Sequence, residues 1–136
     1  MREFLDYIDH PNVTACWDTG HANIEGSQYD DILVLSDKLT ALHINDNNGL
    51  KDEHLLPYMG TMNIDEIMTA LLKIGFDGYF TFESGNTLNG GWPYKKREFV
   101  MSQKVSKPEL EYKKIFVQAA LTVGKNILTA YNCYED

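Results

Sequence analysis

The spacing of apolar residues changes along this chain, and each change marks a new element. Residues 2–8 read as the last turns of a helix. Asp9-His10-Pro11-Asn12 ends it, because proline stops a helix and Asp and Asn tolerate turn geometry. Residues 13–17 read as a short buried strand, which the chain leaves through Asp18-Thr19-Gly20-His21. A short helix is predicted over 28–35 and a second strand over 39–44, followed by a polar loop at 45–49. The next helix is better marked. Asn63 stands at its N-cap with Glu66 at the capping-box position, and Ile64, Ile67, Met68, Leu71 and Leu72 recur at helical spacing. Gly75 is placed to end it in the left-handed region. After the turn Phe76-Asp77-Gly78, residues 79–83 form the third predicted strand. A long loop over 84–107 leads to Pro108, which opens a helix reaching to about Tyr131. Its apolar stripe is Tyr112, Ile115, Phe116, Ala119, Val123, Ile127 and Tyr131, and Gly124 weakens it by about 1 kcal/mol.

Strand and helix thus alternate three times with short apolar strands, the pattern of a parallel α/β sheet with crossover helices. Three parallel strands on their own expose two edges and much apolar surface. The expectation is one domain over residues 1–136 that forms the C-terminal segment of a larger barrel, open strand edges being covered by a second copy or by a missing N-terminal half.

Composition sets outer bounds. The chain has 136 residues, 43% of them hydrophobic, which suits one globular domain. No apolar run approaches the roughly 20 residues that span a bilayer, and the acidic start does not read as a signal peptide. The net charge of −8 argues against a general polyanion binder. Cys16 and Cys133 make neither a disulfide framework nor a zinc-ribbon spacing, so reduced thiols and a cytoplasmic location are expected.

Chemistry concentrates in six residues: Asp18, His21, His43, Asp52, His54 and Glu83. Asp18 and His21 follow the first predicted strand. His43 lies near the end of the second, with Asp52 and His54 in its loop, and Glu83 closes the third. Parallel strands place all these positions at one rim, where α/β barrels carry their functional groups. Oxygen and imidazole donors without thiolates suit Mn, Mg, Co, Zn or Fe(II). A glutamate closing a buried strand after Phe80 and Phe82 is costly unless paired. His10, before a proline in a turn on the opposite rim, is read as exposed or structural. In the loop over 84–107, Trp92 is a candidate to cover a sugar face, and Lys95, Lys96 or Arg97 to meet a phosphate. A solvated basic stretch is the plainer reading of the same residues.

The stretches Trp17-Asp18-Thr19-Gly20-His21-Ala22, Leu42-His43-Ile44-Asn45-Asp46-Asn47, Asp52-Glu53-His54-Leu55 and Phe82-Glu83, with Gly60 before a helix, together resemble the xylose isomerase-like TIM barrels. That superfamily includes sugar isomerases, sugar epimerases and the endonuclease IV type of apurinic-site nuclease (apurinic endonuclease family 2). The resemblance runs from about Val13 to Ser84 and implies a partial (β/α)8 barrel of about three C-terminal βα units. It implies that Asp18, His43 and Glu83 are three of four ligands of one divalent metal (Mn, Mg, Co or Zn), the fourth being a glutamate on a preceding strand. It further implies that Glu83 is one of two carboxylates that exchange the substrate proton. His21 matches a residue that binds substrate in the isomerases or metal in the nucleases, and Asp52 and His54 match ligands of a further zinc in the nucleases.

The implied activity is metal-dependent isomerisation or epimerisation of a sugar or sugar phosphate. In that chemistry a metal holds the substrate oxygens and a carboxylate moves a proton next to a carbonyl. With one ligand absent, this chain alone is expected to bind metal weakly, and its own catalytic competence stays open. Two alternatives remain: an endonuclease IV-like zinc phosphodiesterase acting on abasic DNA, which the acidic balance disfavours, and a non-catalytic partial barrel that oligomerises or docks on a partner.

Overall fold

The computed structural model describes residues 1–26, 29–85 and 110–134. Its elements are α1 (Arg2–Ile8), β1 (Ala15–Asp18), α2 (Thr19–Glu25), α3 (Tyr29–Leu35), a single 3-10 turn (Ser36–Lys38), β2 (Leu39–His43), α4 (Ile64–Ile74) and α5 (Leu110–Ala130). The chain divides into two units, Met1–Ser84 and Gly85–Asp136.

In the first unit β1 and β2 pair in parallel, with Asp18 opposite His43. The register slips between Ala15 and Cys16, which pair with Leu39 and Ala41 and leave Thr40 as an extra residue. The third predicted strand, 79–83, is reduced to one parallel bridge between Ile44 and Phe82. There the Ile44 amide donates to the Thr81 carbonyl at 2.7 Å and the Glu83 amide donates to the Ile44 carbonyl at 2.9 Å. The α/β reading therefore holds, with two strands and five α-helices among the described residues, and the C-terminal helix is long as expected.

Strand burial corrects the sequence reading. The expected strand over 13–17 lies at 15–18 and alternates buried and exposed residues, so only one face is covered. Ala15 and Trp17 point inward, while Cys16 is exposed. The segment before Glu83 is not a buried strand either. Phe80 and Phe82 are half-buried and meet edge to face at 5.7 Å, whereas Tyr79 is exposed. Glu83 consequently keeps partial contact with solvent.

Helix α3 packs on α4, each through a narrow apolar stripe. Ile32 and Leu35 come from α3, and Ile67, Met68, Ala70 and Leu71 from α4. Leu42 and Ile44 from the sheet are equally buried, at about 0.8 kcal/mol per methylene removed from water. Helix α4 begins as predicted: the Asn63 side chain accepts from the Glu66 amide, and Gly75 ends the helix at φ 68°. Leu72, expected in the stripe, lies half-exposed on the flank. Helix α1 is anchored by Arg2, which pairs with Asp6 at 3.0 Å and Asp37 at 2.6 Å and donates to the Leu35 carbonyl.

Helix α2 was not predicted. The segment Asp18-Thr19-Gly20-His21 read as an exit turn; it is the capped first turn of a seven-residue helix that closes at Gly26 with φ 81°. In the second unit, α5 buries Ile127, but Tyr112 and Ile115 of its predicted stripe are exposed. Its predicted start at Pro108 and the candidates Trp92, Lys95, Lys96 and Arg97 fall outside the described residues.

Candidate active site

Parallel pairing brings the exits of three successive segments to one edge, and each exit delivers one side chain. Asp18 is the last residue of β1 and the N-cap of α2, where its Oδ1 accepts the His21 amide at 3.0 Å. That oxygen also accepts from Asn45 Nδ2 at 3.1 Å. His43 ends β2 on the same rung. Its Nδ1 lies 3.9 Å from Asp18 Oδ2 and 3.1 Å from Glu83 Oε2. The three candidate ligand atoms all fall within 4.8 Å of one another.

A divalent ion takes oxygen and nitrogen ligands at about 2.0–2.2 Å, so two atoms on one ion stand at most about 4.4 Å apart. The widest pair of the group needs to close by a few tenths of an ångström if its members sit on opposite sides of the ion, and by up to about 1.5 Å if they sit side by side. The donor set, two carboxylates and an imidazole, fits a hard or borderline divalent cation. Its acids are already beside a base, so binding need not assemble them from solvent.

His21, Asp52 and His54 form a second string along the rim. Asp52 Oδ2 is shared by His21 Nε2 at 3.4 Å and His54 Nε2 at 3.1 Å. His54 turns its other nitrogen, Nδ1, to the Glu83 carbonyl at 2.8 Å, and the same nitrogen lies 3.8 Å from Glu83 Oε2. His54 therefore joins the two groups through Glu83. Its backbone is left-handed at φ 52°, a conformation that histidine tolerates better than most residues.

The pKa of His54 follows from this setting. Burial on its own lowers it, but the Glu83 carbonyl, then the carboxylates of Asp52 and Glu83, outweigh burial and raise it above the usual histidine value. With an acceptor at each ring nitrogen, the doubly protonated ring satisfies both. A folded pKa above the unfolded one stabilises the fold fully below the unfolded value near about 6.5, and that contribution is lost as pH rises through the folded value. Urea midpoints of the wild type are expected to fall over this interval, with a flatter profile in His54→Gln. Parallel profiles for the two proteins would rule out the linkage. Cys16, near the same edge, has its thiol raised by partial burial and then by Asp18 and Glu83, so it stays protonated and is a poor nucleophile.

Sequence reasoning missed the polar run behind the site. Asn45, Asp46 and Asn47 open the polar loop expected after β2, and all three are fully buried. Asp46 accepts the amides of Asn47, Gly60 and Met62 at 2.8–2.9 Å, and its backbone pairs with Leu55. Asn47 donates to the Gly20 carbonyl and accepts from Asn23 and the Gly49 amide. These bonds shape the loop that presents Asp52 and His54. The available signal was density: three amide or acid side chains directly after an apolar strand. His10, in contrast, behaves as expected, exposed and accepting the Asn12 amide.

Comparison with known proteins bears on the fold that carries these residues. A family model described as xylose isomerase-like TIM barrel matches residues 1–103. An uncharacterised protein of Methanocaldococcus jannaschii is 32% identical over 114 residues, covering 82% of this chain and 36% of that protein. A fructoselysine 3-epimerase of Escherichia coli O157:H7 is 43% identical over 49 residues, covering 36% of this chain and 18% of the enzyme. The crystal structure of a D-allulose 3-epimerase from Methylomonas sp. superposes with a TM-score of 0.53 at 30% identity, covering 60% of this chain and 27% of that one. The chain thus spans about a third or less of the length of these relatives. No helix among the described residues is long and apolar enough to cross a membrane.

Proposed function

This chain belongs to the xylose isomerase-like TIM barrel family, and from that membership we propose that it contributes the metal-binding rim of a ketose 3-epimerase or a closely related sugar isomerase. The observation that carries the reading is the convergence of Asp18, His43 and Glu83 within 4.8 Å at the exits of adjacent parallel segments. The named activities among the relatives, fructoselysine, ketose and D-allulose 3-epimerases, favour a sugar over abasic DNA.

Asp18, His43 and Glu83 would hold a divalent cation. When bound, the ion supplies positive charge that stabilises the negative oxygen of an enediolate. The remaining steps belong to the chain. Glu83 takes the proton from the carbon next to the ketose carbonyl: the C–H bond breaks, its electron pair moves onto the carbonyl oxygen, and the proton stays on the carboxyl group. Epimerisation then requires return of a proton to the opposite face from a second carboxylic acid, supplied by barrel strands other than those described. His54, bonded to the Glu83 carbonyl, fixes the backbone from which Glu83 projects. His21, largely exposed at the rim, would meet a substrate hydroxyl.

Two measurements test this. Mn2+ titrated into the 136-residue chain should bind weakly, because three ligands hold an ion less well than four, and Asp18→Asn or His43→Ala should weaken binding further. Incubating a ketohexose with the protein in its native assembly in D2O should place deuterium at C3. Exchange absent from that assembly would overturn the epimerase reading, and cleavage of abasic DNA would replace it with the nuclease one.

A further inference from the structure

Asn45 is fully buried where the chain leaves β2, and nothing in the mechanism above employs it. Its backbone is clasped by Thr19, whose Oγ1 accepts the Asn45 amide at 2.8 Å and donates to the Asn45 carbonyl at 2.5 Å. Its side-chain Nδ2 donates to Asp18 Oδ1. Its Oδ1 is buried with no hydrogen-bond partner among the described residues and packs against Gly20, where an added Cβ would collide with it.

That orphan oxygen is informative. Buried carbonyl oxygens without partners are uncommon, and rotating the amide would free Oδ1 from this position. The rotated amide would set oxygen against Asp18 Oδ1, which is worse than an unpartnered atom. The amide direction is therefore dictated by Asp18. Asp18 Oδ1 receives the His21 amide as well, so two donors occupy it. Oδ2 is left as the oxygen that faces His43.

We propose that Asn45 is a positioning residue that makes Asp18 a one-oxygen ligand, holding Oδ1 away from the site and Oδ2 toward it, with Gly20 kept small to admit the amide. This rests on the metal-centre reading of Asp18, His43 and Glu83. Groups that orient a ligating carboxylate change metal affinity about 10–100-fold when removed.

The test uses the full chain, Mn2+ alone, and two variants. Asn45→Ala removes the tether to Asp18. Thr19→Val disrupts the same junction but leaves that tether intact. Both should lower the melting temperature. Asn45→Ala should weaken Mn2+ binding about 10–100-fold and broaden the electron paramagnetic resonance spectrum of the bound ion, as Asp18 samples several arrangements. Thr19→Val should leave affinity within about threefold and the spectrum unchanged, far below the effect of losing an orienting group. If the two variants track each other in affinity and spectrum while the wild type binds Mn2+, this inference falls alone. If the wild-type chain binds no Mn2+, the metal-centre reading falls and takes this inference with it.

Discussion

Glu83→Gln should slow deuterium exchange at C3 of a bound ketose by about 10²–10⁴-fold, the usual worth of a positioned general base. The substitution is nearly isosteric. The Glu83 backbone stays bonded to Ile44 through its amide and to His54 through its carbonyl, because neither bond involves the carboxylate. The side chain is 42% exposed, so losing its charge costs little folding free energy. Fold and melting temperature should therefore persist while proton transfer fails. The reading depends on that split. Exchange retained within about threefold, well short of a general base's contribution, would assign the proton to another group and leave Glu83 as a ligand only. A protein that no longer melts cooperatively would show that Glu83 is structural.

Asp46→Ala should be the most damaging substitution in the first unit outside the apolar core. Three backbone amides lose their acceptor at once: Asn47, Gly60 and Met62. Each amide left without a partner costs about 1–3 kcal/mol, so a loss of about 3 kcal/mol or more is expected from urea denaturation. That is a large share of the roughly 5–15 kcal/mol by which domains are stable. Asp46→Asn, which keeps one acceptor oxygen, should fall between the wild type and the alanine variant. Because Asp46 ties both ends of the loop that carries Asp52 and His54, any folded Asp46→Ala protein should also lose the raised His54 pKa. A loss below about 1 kcal/mol would mean that water replaces the carboxylate at little cost.

Much of this protein is determined locally. Asn63 and Gly75 bound α4 through bonds and a backbone angle that depend on their own side chains, so both ends were legible. The rim residues were legible for a related reason. Parallel strands joined by helices present their C-terminal ends on one edge, so Asp18, His43 and Glu83 had to converge once the strands were placed.

Other features needed the tertiary structure. Burial is a property of neighbours: the strand at 15–18 is covered on one face because nothing among the described residues covers the other, and composition carries no record of that. Leu72 and Ile115 match a helical stripe by spacing but lie exposed, since spacing gives a face and not what lies against it. Helix α2 escaped because its seven residues include Gly20, and the Asp18 cap that holds its first turn also serves the site. The run Asn45-Asp46-Asn47 misled most. Polar residues after a strand read as a loop, with nothing to mark them as buried. Here the backbone of a long loop folds over them, and each side chain satisfies an amide or a ligand that sequence separation hides. The sequence by itself determined which groups reach the rim. Only the fold decided how those groups are oriented and held, because local bonds are completed by hydrogen bonds such as those of Asn45, Asp46 and His54 to residues 14 to 29 positions away.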